Sequence, residues 1–218
     1  MTALFSASSH DPFVVPDKYK GRFPQGERPL QQCIAYTDYA LKRFFEAASH
    51  QPWFKNTLFV ITADHVSQQI DPFYCTTLGN YSVPIILYAP GDSSLHGYDE
   101  QQVVEQIDIM PTVLSYLHYD EPYIAFGRDM LSQGDGFAIH WLPVSSSYEY
   151  VWGDYALHFD GKDVTSAYAF RTDSTFSHNV LGSIPPETRN RMERHMKSFI
   201  QQYMQRMTTD QLVVKKSK

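Results

Sequence analysis

Asn56-Thr57-Leu58-Phe59-Val60-Ile61-Thr62-Ala63-Asp64-His65 is the stretch on which the fold turns. Leu58 to Ala63 is a continuous apolar run of strand length, the pattern of a strand buried on both faces of a parallel sheet. It ends on a carboxylate and an imidazole. In open α/β sheets ligands bind beyond the carboxyl ends of the strands, where this pair stands. A carboxylate oxygen and an imidazole nitrogen suit Zn²⁺ or Mn²⁺. Neighbouring side chains on a regular strand point to opposite faces, so both reach one ion only where the chain leaves β geometry. The plainer reading is a strand-end carboxylate capping the next turn, beside a hydrogen-bonded histidine.

Outward from this run, Val83 to Ala89 reads as a second strand of the same kind, closed by Pro90-Gly91. Upstream, Pro29 opens an amphipathic helix with Leu30, Ile34, Thr37, Leu41, Phe44 and Ala48 at helical spacing. Prolines and glycines from Val14 to Glu27 mark a loop, and Leu4 to Ser8 reads as a further strand. Asp99 to Leu117 turns helical, with Asp108 as an N-cap and Pro111 tolerated in a first turn. Strand and helix therefore alternate in the manner of an α/β sandwich.

The texture then changes to short aromatic strands, Phe137–Trp141, Tyr148–Trp152 and Tyr155–Phe159, with a hairpin signal at Asp160-Gly161-Lys162. They predict a small antiparallel sheet. Pro185-Pro186 opens a last helix to about Met207, with Met192, His195, Met196, Phe199, Ile200 and Tyr203 on one face. The expected division is a core over 1–130 and a sheet-plus-helix segment over 131–218 of the same catalytic unit.

Composition narrows the function classes. Among 218 residues, 43% are hydrophobic and 15% aromatic, which suits a packed body and excludes disorder as the main state. A net charge of -6 without a basic stripe argues against nucleic acid as a partner. Lys215, Lys216 and Lys218 read as a short solvated end. No apolar run approaches the roughly 18 residues of a membrane span, and the start lacks the pattern of a signal peptide. The chain itself is therefore expected to be soluble. Two cysteines, Cys33 and Cys75, supply neither a disulfide framework nor a thiolate zinc site.

His10 follows the segment Leu4 to Ser8. If that strand belongs to the same sheet, His10 lies along the same edge as Asp64 and His65, where it could hydrogen-bond a transferred phosphoryl or sulfuryl oxygen. Its plainer reading is a turn histidine beside Asp11-Pro12. Ser9, His10 and Asp11 do not make a triad, because triad members meet from separate segments. Neither a Gly-x-Ser-x-Gly elbow nor a glycine-rich phosphate loop occurs. His50, His96, His118, His140, His158, His178 and His195 show no metal-ligand spacing and receive no role.

Five blocks in order carry a resemblance. They are Ser8-Ser9-His10-Asp11-Pro12-Phe13, then Tyr36–Leu41 with Phe44-Phe45, then Asn56–His65, then Val83–Gly91, then Gln106–Leu114. Together they resemble the C-terminal half of sulfatase-like enzymes of the alkaline phosphatase superfamily, in particular the lipoteichoic acid synthase branch. The resemblance implies an alkaline phosphatase-like α/β fold, incomplete here. Its mixed, mainly parallel sheet is sandwiched by helices and followed by a small C-terminal antiparallel sheet and a terminal helix.

It also implies hydrolysis or transfer of sulfuric or phosphoric esters. Asp64 and His65 are similar to the family's metal ligands, and His10 to the histidine that contacts the substrate's charged group. The cofactor implied is a divalent metal, Mn²⁺ or Zn²⁺, with Mg²⁺ or Ca²⁺ as alternatives.

Two departures stand out. Val66 occupies the position usually held by Gly, and the family's nucleophile and further acidic ligand lie upstream of the block around His10. No catalytic residue is therefore assigned within this chain. It is expected to be a piece of a longer enzyme, nearly inactive alone, with membrane contact only through an N-terminal part of a membrane-anchored parent whose catalytic domain is extracytoplasmic. Self-association through the truncated sheet is the expected structural consequence. The alternative is a non-catalytic module of the same fold that holds an anionic ligand or a partner. A stand-alone hydrolase with an unrelated site finds no support in the residues.

Overall fold

The computed structural model describes residues 1–214; the basic end at Lys215, Lys216 and Lys218 lies outside the described residues. By contacts the chain groups into two compact units. One is Met1–Gln68 with Val83–Gly97; the other is Gln69–Ser82 with the described part of Tyr98–Lys218. This grouping follows contacts, whereas the expected boundary near residue 130 followed the change in sequence texture.

In the first unit, α1 (Pro29–Ala48) begins with proline at its first turn, where a missing N–H costs nothing. The Arg28 amide donates to the Gln31 side chain at 3.1 Å, closing that end. Cys33 and Ala48 are buried, with Thr37, Leu41 and Phe45 half-buried along the same stripe. The expected stripe included Ile34 and Phe44, but both stay largely exposed. Apolar side chains border more than one face of this helix, so periodicity left its rotation open by about one residue. Phe45 decides it: its ring lies 5.1 Å from Phe59, 5.6 Å from Tyr88 and 6.5 Å from Phe54.

β1 (Phe59–Thr62) and β2 (Ile85–Tyr88) pair antiparallel, Phe59 opposite Tyr88 and Thr62 opposite Ile85. The parallel pairing expected from their apolar runs is not formed. Apolar content reports burial and carries no strand direction. Ile86 and Tyr88 even remain 48% and 37% exposed. The strand expected at Leu4–Ser8 is also absent. Leu4 and Phe5 are exposed, and the segment runs into a turn at Ser8–His10. An extended segment becomes a strand only when a neighbour takes up its N–H and C=O groups.

In the second unit, α2 (Thr77–Tyr81) follows a 3₁₀ turn at Pro72–Cys75, and the Thr76 hydroxyl caps it by accepting from the Gly79 amide at 3.0 Å. Gly79 is required there, since a Cβ would collide with the Phe73 carbonyl. The helix expected over Asp99–Leu117 shortens to α3 (Ile109–Tyr116) after a 3₁₀ turn at Gln106–Asp108. Asp108 stands at its N-cap, but its carboxylate turns to loop amides, accepting from Glu105 at 2.9 Å and Arg128 at 2.7 Å. Upstream, the Asp99 carboxylate accepts from the Gln101 and Gln102 amides, a local turn that competes with a longer helix.

β3 (Phe137–Leu142), β4 (Ser147–Trp152), β5 (Tyr155–Phe159) and β6 (Val164–Tyr168) form an antiparallel meander in that order. The Asp160-Gly161-Lys162 turn joins β5 to β6, a fourth strand that its modest apolar content concealed. Gly161 has φ of 95°, and the Asp160 carboxylate accepts from the Lys162 and Asp163 amides at 2.8 Å.

α4 (Pro186–Thr208) lays Met192 and Met196, both fully buried, onto Ile139, Tyr150, Leu157, Phe159, Val164, Ala167 and Ile184. His195 on the same face bonds the Tyr150 hydroxyl at 2.8 Å through Nδ1. The fold class is α/β, built here from helices and antiparallel sheets. Among the described residues no helix is long and apolar enough to cross a membrane.

Candidate functional site

β1 ends at Thr62, and the chain leaves strand geometry before Asp64. That departure turns both neighbouring side chains the same way. Asp64 Oδ1 accepts from the His65 amide at 3.0 Å, and Oδ2 lies 3.5 Å from His65 Nε2. His65 Nδ1 lies 2.8 Å from the Val66 carbonyl. A carbonyl can only accept, so this bond places the proton on Nδ1 and leaves the Nε2 lone pair free.

Two ligands at about 2.0–2.1 Å from one tetrahedral ion stand about 3.3 Å apart, close to the separation found. The pair therefore fits two positions of a divalent-metal donor set. Both side chains are more than half exposed, so their mutual attraction contributes little by itself. Val66 does not adopt a left-handed φ, so the turn needs no glycine and accepts a β-branched side chain. The substitution noted in the sequence is compatible with the pair's geometry.

His10 sits in an exposed turn, with Nδ1 2.8 Å from the Asp11 carbonyl. By the same argument its Nε2 carries the exposed lone pair, which can meet an anionic oxygen only as the N–H of the imidazolium. No hydrogen bond joins it to Asp64 or His65 among the described residues. Nor do three or more His, Cys, Asp or Glu side chains converge as a metal-binding group among those residues. The structure thus brings Asp64 and His65 together and leaves His10 as a separate exposed group.

The second unit holds a polar cluster to which the sequence reading gave no role. Glu149, 0% exposed, lies on β4 directly between His140 on β3 and His158 on β5. His158 Nε2 is 2.7 Å from Oε1, and the Thr77 hydroxyl donates to the same oxygen. His140 Nε2 stands 3.1 Å from Oε2, an ion-pair approach whose angle falls short of a hydrogen bond; neither atom has a hydrogen-bond partner. Burial pushes the carboxyl pKa up. Contacts with His140 and His158, the charge on His140 and the Thr77 hydroxyl overcome it, bringing the value to about 2.

A signal for this cluster existed. The two-residue turn Gly153-Asp154 pairs Trp152 with Tyr155, which places Glu149 opposite His158 by simple register. Glu105 shows the opposite behaviour: burial, helped by Asp108's charge, lifts its pKa to about 8 against the Ile139 amide that donates to it at 3.3 Å.

Three comparisons bear on these residues. The family model described as Sulfatase matches residues 1–119. A curated relative, a multifunctional alkaline phosphatase superfamily protein from Trinickia caryophylli, is 28% identical over 102 residues, covering 45% of this chain and 20% of that protein.

A solved structure from Bacteroides thetaiotaomicron, of a protein described in connection with the metabolism of multiple glycosaminoglycans, superposes with a TM-score of 0.65 at 15% identity, covering 88% of this chain and 48% of its own. The phosphonate monoester hydrolase of Agrobacterium radiobacter gives 0.59 at 16% identity, covering 80% and 41%. These likenesses show the fold. The chain spans about half the length, or less, of the relatives it matches.

Proposed function

This chain belongs to the sulfatase family of the alkaline phosphatase superfamily, and from that premise we propose that it is part of a metal-dependent hydrolase or phosphotransferase acting on sulfate or phosphate esters. Asp64 and His65 would hold the divalent ion, Mn²⁺ or Zn²⁺. The single observation that carries this reading is the approach of Asp64 Oδ2 to His65 Nε2, with the Val66 carbonyl setting the tautomer that ligation requires. When bound, the metal would lower the pKa of an attacking oxygen and offset charge on the transferred group. With both ring nitrogens protonated, His10 would donate its Nε2–H to an oxygen of that group, holding it and stabilising charge as it develops.

The order of the matched blocks supports placement in the lipoteichoic acid synthase branch, with a membrane-anchored parent. Catalytic zinc keeps three protein ligands as a rule, and the described residues supply two. The nucleophile and the remaining acidic ligand are assigned to the longer protein, and this chain alone is proposed to turn over little ester.

The exposed two-donor set also favours a second reading, a binding module in which the pair no longer serves catalysis. Metal analysis of the purified full-length protein separates the two. One equivalent of Mn²⁺ or Zn²⁺, lost together with aryl-ester turnover in Asp64→Ala and His65→Ala, supports the enzyme. Full metal content and turnover in both variants would remove these residues from the site.

A further inference from the structure

We infer that the Glu149 carboxylate is an anionic latch that docks α2 onto the C-terminal sheet at both ends of that helix. The inference concerns the second unit alone and stands whether or not the ester-hydrolase reading holds. Thr77 is the first residue of α2 and Tyr81 the last. The Thr77 hydroxyl donates to Glu149 Oε1 and lies 3.2 Å from His158 Nε2. At the other end the Tyr81 ring lies over the His140 ring, with centroids 4.1 Å apart. His140, Glu149 and His158 come from three adjacent strands at directly opposed positions. A helix of five residues has little stability of its own. These two side-chain contacts join it to the sheet, and both lead to one carboxylate.

The groups around that carboxylate make the attachment charge-dependent. α2 contributes Thr77 and Tyr81, β3 His140, and β5 His158. From β6, Ser166 Oγ lies 3.1 Å from His158 Nδ1 and the Tyr168 ring lies 5.5 Å from His158; Phe176 approaches the same imidazole at 6.3 Å. Among the described residues, no lysine, arginine or second carboxylate makes a hydrogen bond or ion pair with this cluster. Protonating either imidazole strengthens attraction to the ionised carboxylate, whereas protonating the carboxylate removes its charge-assisted bonds. A buried ionic cluster of this kind is seldom more stabilising than apolar packing of equal volume, and a switchable or register-setting role is its best-attested use.

The test is hydrogen exchange of the α2 amides. Gly79, Asn80 and Ser82 donate to Thr76 Oγ1, Thr76 O and Gly79 O. Val151 and Leu157 in the sheet serve as references. In Thr77→Val and Glu149→Gln, protection of the three α2 amides should fall at least tenfold relative to the references. In the wild type it should hold from pH 8 to pH 5 and fall progressively as pH drops from about 4.5 towards 2, a profile that Glu149→Gln should lack. Should Glu149→Gln fail to fold, Thr77→Val decides, since it removes one hydroxyl at constant shape. Unchanged protection in Thr77→Val, or the same pH profile in wild type and a folded Glu149→Gln, would overturn the latch.

Discussion

Replacing Glu149 by glutamine isolates one ionisable group at nearly constant volume. The carboxylate is fully buried, so solvent screens its interactions little. Its pKa falls from the ordinary 4.5 to about 2, and at 1.36 kcal/mol per unit the ionised pairing contributes about 3 kcal/mol relative to the unfolded chain. Because the folded value is depressed, this stability is present above pH 4.5. It is lost as pH falls from 4.5 towards 2.

Urea unfolding of wild type and Glu149→Gln from pH 7 to pH 2.5 reads the effect. A Trp53→Phe background leaves Trp141 on β3 and Trp152 on β4 to report the second unit. The stability difference between the two proteins should be constant above about pH 5.5 and shrink by about 3 kcal/mol at the acid end. A difference that stays flat across the whole range would refute the reasoning, because the variant would then have removed no native-state pairing of the carboxylate.

Other outcomes follow from the same structure. Glu105 has a raised pKa of about 8, so its contribution is present below pH 4.5 and lost as pH rises through 8. Glu105→Gln should therefore gain on the order of 3 kcal/mol over wild type at pH 7 and nothing at pH 4; urea midpoints at the two pH values check this. Met192→Ala, at a fully buried site beneath the sheet, should cost about 2–5 kcal/mol; a loss under 1 kcal/mol in thermal unfolding would mean that the α4 contact is loosely packed. Among the described residues the β1–β2 ribbon has no third strand. Its open edges are expected to associate with a second copy of the chain, and sedimentation showing a monomer at every concentration counts against that.

Much of the architecture is legible in residue order. The aromatic alternation of Tyr148–Trp152 and Tyr155–Phe159 reads as antiparallel strands, and Met192, Met196 and Phe199 mark the buried face of α4 before any coordinates. Both depend on local periodicity, which a sequence displays directly. The direction of β2 was not legible, nor the lack of a partner for Leu4–Ser8. Both depend on which segment supplies backbone partners, and side-chain patterns do not carry that information.

The candidate sites divide in the same way. Asp64 and His65 are neighbours in the chain, so a single bend after β1 suffices to join them. Residues 77, 140, 149 and 158 meet only because three strands align in one register and a short helix returns to them. The sequence by itself determined the C-terminal aromatic strands, α4, the sulfatase family and the adjacency of Asp64 and His65, since each rests on local periodicity or short contiguous blocks. Only the tertiary structure decided strand direction, the rotation of α1 and the buried carboxylate cluster, because those arise from distant segments competing for the same hydrogen bonds and the same buried space.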